Sequence, residues 1–426
     1  MPAYVTLTVR AVMVTVLFEA LAPVMPMIAD DLGVTPAGFQ TLVAVALMTT
    51  ALALLGAPWL VDSIRRLRTV SLSAILVCLL GLASTQARTY AVYAAILLCM
   101  YVINALGSAA NRALLRDCVR HGEYRRLFAY SQAALEAASI VAPLLAAMMA
   151  AAWGWRVMFA VLCLPLLALP PLLRHSLRGT VVAGPVPAPG LPTITPPTKA
   201  LPAPTLPAPT LSARQLAQCL RAVRHPLLLL CATQAGFSAL LVAAPFLLTS
   251  RGGLSVITVG MVLALQAGVG VLGFICIGAL AHRVAEHRLI WCGLLVQALA
   301  ALALWLLASL DHLALPPLIA APPSAAALSA ALLFASLAMA QLGFCLVVPV
   351  ANAWAMDVDT GYRSAVAGTM LGLQALAGGL AACLAGLRYD GSAMSVAVVC
   401  TSAVIASMVT SILALRQMPR LSQPPA

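Results

Sequence analysis

Long apolar stretches alternate with short polar breaks along most of this chain. They fall near residues 5–27, 38–61, 69–86, 92–112, 126–152, 157–174, 227–250, 257–281, 288–310, 327–354, 363–387 and 392–415. A helix rises about 1.5 Å per residue, so about 18 to 20 apolar residues cross the roughly 30 Å hydrocarbon core of a bilayer. Each stretch is near or above that length. The pattern therefore predicts an all-α polytopic membrane protein with twelve transmembrane helices. The first stretch is too long for the apolar region of a signal peptide, and eleven more follow it, so it is expected to be retained.

Composition excludes a soluble domain. Apolar residues make up 63% of the chain and charged residues 8%, against about 45–50% and about 25% in soluble proteins. The net charge of +12 would suggest a nucleic-acid partner if it formed a surface patch, but its distribution points elsewhere. With the N-terminus inside, the outer loops hold only Arg88, Arg156, Arg251 and Arg388. Arg10 and Arg112 lie at helix ends, and the other eighteen basic residues fall in inner loops and the C-terminal tail. This is the positive-inside asymmetry, and it puts both termini in the cytoplasm. The basic balance reports topology, with the lipid bilayer and not nucleic acid as partner. Eleven cysteines are scattered singly and six histidines lie in loops or at helix ends. Neither set has metal-ligand spacing, so no metal or other cofactor is expected. No nucleophile–base set suggests an enzyme.

Between His175 and Arg224 the apolar pattern lapses. Ten prolines fall here, four of them in the tandem repeat LPAPTLPAPT at 201–210. Such a segment should be extended and polyproline-like, a spacer rather than a core. It divides the chain into a six-helix bundle at 1–174, a linker at 175–225 and a second six-helix bundle at 226–426. The halves echo each other. PWLVDSIRRLR (58–68) follows the second stretch and GALAHRVAEHR (278–288) the eighth, each placing a polar residue, Asp62 or His282, before an arginine-bearing turn. Two parallel six-helix repeats joined on the inner side are the build of a rocker-type secondary transporter.

Of twelve acidic residues only Glu19 and Glu136 lie inside the apolar stretches. An ionised carboxylate there costs roughly 2.5–3.5 kcal/mol on insertion scales, so each must face a cavity or a partner. Thr15 stands one turn before Glu19 and Pro23 one turn after. Pro23 has no N–H to offer the Glu19 carbonyl, which predicts a kink beside the carboxylate. Desolvation penalises the charged form of any carboxyl group, so this acid suits reversible protonation; the plainer alternative is a neutral glutamic acid that only packs. Glu136 shares a helical face with Gln132, Ser139 and Pro143. It reads either as a second proton or cation site or as half of a fixed ion pair. Arg112 closes a stripe of Asn104, Ser108 and Asn111 on the fourth stretch. It keeps its charge, and either answers the acid or snorkels to the inner surface. Asp62 with Arg65, Arg66 and Arg68 forms either an inner latch or a topology-setting cluster. In the second half the embedded polar residues are uncharged: Gln234, Ser238, Gln266, Gln297, Gln341, Asn352 and Gln374. Each amide singly suits interhelical hydrogen bonding; together with Phe237 and Trp354 they suit an amphipathic organic substrate.

From about Phe18 to Gly391, the linker aside, the chain resembles the major facilitator superfamily, in particular its drug/proton antiporters of the Bcr/CflA type. FEALAPVMPMIADDLGVTP (18–36) is similar to that family's acidic, twice-prolinated first span. NRALLRDCVRHGEYRR (111–126) resembles the fourth-span arginine motif, with Arg112, Arg116 and Asp117 in register. IVAPLLA (140–146), WGWRVMF (153–159), APFLLTSRGGLS (244–255) and PVANAWAMD (349–357) with AVAGTMLG (365–372) fit later spans. The chain departs from the pattern in the inner loop after the second span, where Pro58, Ser63 and Arg65 replace glycine, arginine and glycine. On the fifth span Ala146 and Ala147 replace paired glycines, and Glu136 replaces a small or apolar residue.

The resemblance implies the major facilitator fold and a monomer. It also implies proton-coupled export of small amphipathic compounds by alternating access, a drug-resistance function in the bacterial inner membrane. Residues and resemblance together give a proton-coupling set of Glu19, Glu136 and Arg112. They give a substrate cavity of Thr15, Asn104, Ser108, Gln132, Gln234, Phe237, Ser238 and Gln341, and a gating loop of Asp62, Arg65, Arg66, Arg116 and Asp117. A dedicated exporter of a self-made metabolite such as a siderophore is the alternative within transport. A non-transporting receptor or scaffold that docks through the proline linker is the alternative outside it.

Overall fold

The structure, a computed structural model, describes residues 3–63, 66–117, 124–177, 213–250, 253–280, 284–313, 323–357 and 363–417, with only the backbone of some at helix ends. Every regular element among them is helical, as suits a chain that must satisfy its backbone polar groups without water. In order these are α1 (Ala3–Glu19), α2 (Leu21–Asp31), α3 (Pro36–Ser63), α4 (Arg66–Ser84), α5 (Tyr90–Asp117), α6 (Tyr124–Cys163) and α7 (Leu169–Leu177). Then come α8 (Ala213–Ala222), α9 (Arg224–Ser250), α10 (Val256–Leu280), α11 (Glu286–Leu313), α12 (Pro323–Asp357), α13 (Arg363–Leu387) and α14 (Met394–Gln417). A short 3-10 turn, Leu164–Ala168, joins α6 to α7.

Among the described residues, ten helical stretches are long and apolar enough to cross a bilayer, and the bent pair α1–α2 supplies an eleventh crossing. One of the ten, Ala134–Ser176, has 43 residues. Drawn out straight it would span about 64 Å, twice what one crossing needs. It turns back at Gly154, where φ is 78° and ψ is 159°, a conformation that side chains strongly disfavour. Its two arms are the fifth and sixth crossings, which completes the expected twelve. The first crossing breaks at Ala20, with α1 and α2 inclined at 42°. That is the place the missing N–H of Pro23 predicts.

Buried cores form within α1–α7 and within α9–α14, the first also taking in Val242, Phe246 and Ala382 of the second group, and two seams join the groups. Along the first, α13 lies against α3. A Cβ on Gly372, Gly379 or Gly386, each seven residues from the next, would come within 3.4 Å of a backbone atom of Ala51, Ala44 or Thr41. Small residues are what let membrane helices approach so closely. Along the second seam, α10 lies against the first arm of α6. Gly260 faces Ala147 there, and a Cβ on it would stand 2.8 Å from the Pro143 carbonyl oxygen. The close approach lost by having Ala146 and Ala147 in place of glycines is thus recovered by a glycine on α10. At the end that carries Asp31, Phe39 and Phe246 also meet across the groups, 6.2 Å between ring centres.

Most of the expected linker lies outside the described residues, at 178–212. Its last part is not extended but forms α8. The prolines stop at Pro209, and Leu216, Cys219 and Leu220 then recur at helical spacing. Cys219 and Leu220 pack against the core shared by α9, α11 and α12.

Candidate functional site

Glu19 closes α1 at the bend of the first crossing. Asp31, at the far end of α2, is twelve residues on, about 18 Å along the axis, so Glu19 stands near the middle of the crossing. It is partly buried, as is Thr15 one turn earlier. Phe18 beside it packs edge-on against Tyr101 of α5, with ring centres 4.8 Å apart and planes at 87°. Tyr101 and Glu136, the latter on the first arm of α6, both lie within electrostatic reach of Glu19. Among the described residues neither Glu19 nor Glu136 is hydrogen-bonded or ion-paired to a basic group, so the fixed ion pair considered for Glu136 is not formed there.

Glu136 also reaches across the seam, since Cys345 of α12 feels its charge. Gln341, one turn before Cys345, accepts a hydrogen bond from Gln266 Nε2 of α10. Its own Nε2 donates to Cys345 Sγ at 3.6 Å, and that thiol donates to the Gly270 carbonyl at 3.4 Å. The acid pair therefore stands near a buried amide cluster that ties α10 to α12. Elsewhere in this half, Gln234 donates to Ser238 Oγ at 2.9 Å, a bond within α9 and not between helices. Phe237, between them in sequence, stacks on Phe344 of α12 at 4.7 Å. Trp354 turns elsewhere: it is buried and its indole N–H donates to Glu286 at the start of α11.

One of the two arginines differs from expectation. Arg112 is exposed, whereas Arg10, which the sequence places at a helix end, is 1% exposed. Helix α1 starts at Ala3, so Arg10 lies two turns inside it. Its Nη2 donates to Ser73 Oγ of α4 at 3.2 Å and its Nη1 to Ser108 Oγ of α5 at 3.4 Å. Its Nε has no partner among the described residues, and Arg112 lies within electrostatic reach. Gly107 makes the room, since a Cβ there would collide with Ser73 and with Arg10 Nη2. Ser108 in turn donates to Asn104 Oδ1 at 3.1 Å, and Asn111 Nδ2 donates to the Leu7 carbonyl at 3.3 Å. The polar stripe of the fourth crossing thus turns largely towards α1.

The side chains of Gln132, Asp62, Arg65, Arg66, Arg116 and Asp117 lie outside the described residues. Arg10 and Tyr101 are among the residues of this region that the sequence does not single out, with Ser73, Gly107, Phe344 and Cys345. For Tyr101 a signal exists: it stands one turn before Asn104 and extends the stripe of Asn104, Ser108 and Asn111. For Arg10 the signal is its distance from the helix start, which the apolar pattern locates too loosely.

The sequence profile of the Major Facilitator Superfamily matches residues 8–386. No curated protein matches the chain. Among solved structures, a bacterial homologue of the human lysosomal transporter Spinster, inward-facing and unoccupied, superposes with a TM-score of 0.70 at 14% identity, covering 100% of this chain and 98% of that one. The inward-facing and occupied form of a bacterial Spinster homologue gives 0.71 at 15% identity, covering 99% and 98%. Likeness at that identity speaks for the fold. Profile and fold agree on a multi-pass membrane protein, a secondary transporter of small molecules and not an enzyme. The chain belongs to the Major Facilitator Superfamily.

Proposed function

We propose that this transporter is a proton-coupled exporter of small amphipathic organic compounds, of the Bcr/CflA drug-antiporter type. In this reading it lies in the bacterial inner membrane with both termini in the cytoplasm. Helices α1–α7 and α9–α14 are the two bodies that rock about their seams to expose one cavity alternately.

The observation that carries the reading is the setting of Glu19. This acid stands at the bend of the first crossing, partly buried, with Tyr101 and a second acid in reach and no basic group bonded to it among the described residues. Neighbouring carboxylates repel, so the pair is better placed with a proton or a cationic substrate group between them. Competition between those two occupants is what an antiporter requires. The Phe237–Phe344 stack and the amide cluster across the seam supply neutral surface for the body of an amphipathic molecule. The membrane potential contributes about 2.3 kcal/mol per proton per 100 mV to the cycle.

The test is substrate-induced proton release from the purified protein in weak buffer, screened with cationic, neutral and anionic compounds. Release on addition of a transported compound is expected, and Glu19→Gln should abolish it. Undiminished release in that variant would move the proton carrier to Glu136. Activity that survives Glu19→Gln but is lost when the proline segment is deleted would replace transport with a docking role.

A further inference from the structure

A groove of about 390 Å³ opens at the Asp31 end, between Thr85, Gln86 and Arg88 after α4 and Arg156, Val157 and Ala160 on the second arm of α6. Its two arginines are held differently. Arg156 pairs with Asp31, donates to the carbonyls of Thr85 at 3.0 Å and Ala87 at 3.2 Å, and lies 4.5 Å over the Trp155 ring. Those bonds leave two of its five N–H donors unused. Arg88 is exposed, and no described residue bonds to it. With Asp31 balancing Arg156, the groove keeps one positive charge without a counter-charge.

Deeper into the membrane both walls turn apolar. Helix α4 presents Leu79, Leu76 and Leu72, and the second arm of α6 with the 3-10 turn after it presents Val157, Val161 and Leu164, each more than 40% exposed. On a membrane-crossing helix such a ridge faces acyl chains. Helices α4 and α6 touch on their buried faces, where Gly81 leaves space for Cys163 Sγ, and both ridges are turned away from that contact. Trp153 is 62% exposed beside the Gly154 turn, at the level where indole rings sit among lipid headgroups.

We propose that this groove binds one anionic membrane phospholipid. Arg88 is the charge partner of its phosphate, the free edge of Arg156 and the amide of Gln86 donate hydrogen bonds, and an acyl chain runs from Val157 down the exposed apolar surface below the groove. The single uncompensated charge fits one phosphodiester, and apolar ridges leading from the floor of the groove fit a lipid and not a soluble anion.

The purified full-length protein in neutral detergent is titrated with dioleoylphosphatidylglycerol, dioleoylphosphatidylcholine or soluble glycerol 3-phosphate. Thermal midpoint and, by native mass spectrometry, retained lipid are read. Phosphatidylglycerol should raise the midpoint and stay bound in preference to phosphatidylcholine. Arg88→Gln should weaken that binding about fivefold, the usual worth of one arginine at an anionic membrane surface. Arg88→Lys should keep most of it, and Arg388→Gln, on the loop after α13, should keep all of it. Because Arg88 is exposed, its variants should match the parent midpoint before lipid is added. Equal responses to the two lipids, or an unchanged phosphatidylglycerol response in Arg88→Gln, would overturn the proposal. An equal response to glycerol 3-phosphate would overturn it in favour of a free anion.

Discussion

Helices α1–α7 and α9–α14 are polar inside in different ways. In the first group the interior holds charge: Glu19 and Glu136 partly buried, Arg10 fully so. In the second group the charged residues of the described helices lie only at their ends, and the buried polarity is made of amides, hydroxyls and thiols. The distinction matters because a charge at low dielectric interacts strongly over many ångströms, whereas a hydrogen bond between neutral groups in a membrane protein averages about 0.6 kcal/mol. In the proposed reading the first half is the one a proton would switch, and the second is a neutral surface against which that switch would act. A second contrast lies within α1 itself. Glu19 and Arg10 are nine residues, about 13 Å, apart, yet the acid stands at a bend with no basic group bonded to it, and the arginine is locked among hydroxyls.

The largest expected effect is on transport. Glu19→Gln should reduce transport driven by a pH gradient in proteoliposomes to background, with folded yield unchanged, while Gln341→Leu in the neutral half should lower it only in part. Equal loss in both variants would break the comparison. Next is Arg10→Met. Ser73 still donates to the Val70 carbonyl at 2.9 Å and Ser108 to Asn104, so neither hydroxyl loses its acceptor. Replacing a buried cation that no acid balances among the described residues should leave stability unchanged or raise it by about 1–4 kcal/mol, read as a thermal midpoint no lower than the parent's. A clear fall would reveal an acidic partner for Arg10 and erase the contrast within α1.

Packing supplies the smaller effects. Gly107→Ala should cost about 1–3 kcal/mol through overpacking against Ser73 and Arg10. Gly268→Ala on α10, with nothing within 4 Å of the new methyl group, should stabilise by up to about 1 kcal/mol. Unfolding midpoints in denaturing detergent compare the two. Smallest is the amide pair: a double-mutant cycle of Gln266→Leu and Gln341→Leu should return a coupling of about 0.6 kcal/mol and no more than about 1.7. A larger value would mean that the neutral half is as strongly wired as the charged one.

What could be read from the sequence divides along physical lines. Hydrophobic length and charge asymmetry set the crossings, so the gap between 152 and 157 located the turn at Gly154, and the proline after Glu19 located the break in the first helix. Partner choice was harder to read. Gln234 meets Ser238 on its own helix, because an i, i+4 neighbour is always in reach and a distant amide is not. Glu136 reaching Cys345, Arg10 entering the space beside Gly107, and Gly260 compensating for Ala147 each depend on helix rotation, which a nearly all-apolar surface hardly encodes. Helix α8 was missed for a different reason: the prolines before it dominated the reading of its ten residues.

The turn at Gly154 bears on how such a chain is made and probed. With both termini inside, as proposed, the fifth and sixth crossings would leave the translocation channel as one hairpin whose whole far-side portion is a few residues around Trp153 and Arg156. Only one cation is carried across with that tip, and Asp31, threaded earlier, is already there to receive it. An epitope or protease site inserted at the tip would therefore not decorate a loop. It would pry Arg156 from Asp31 and should report a damaged fold rather than a topology.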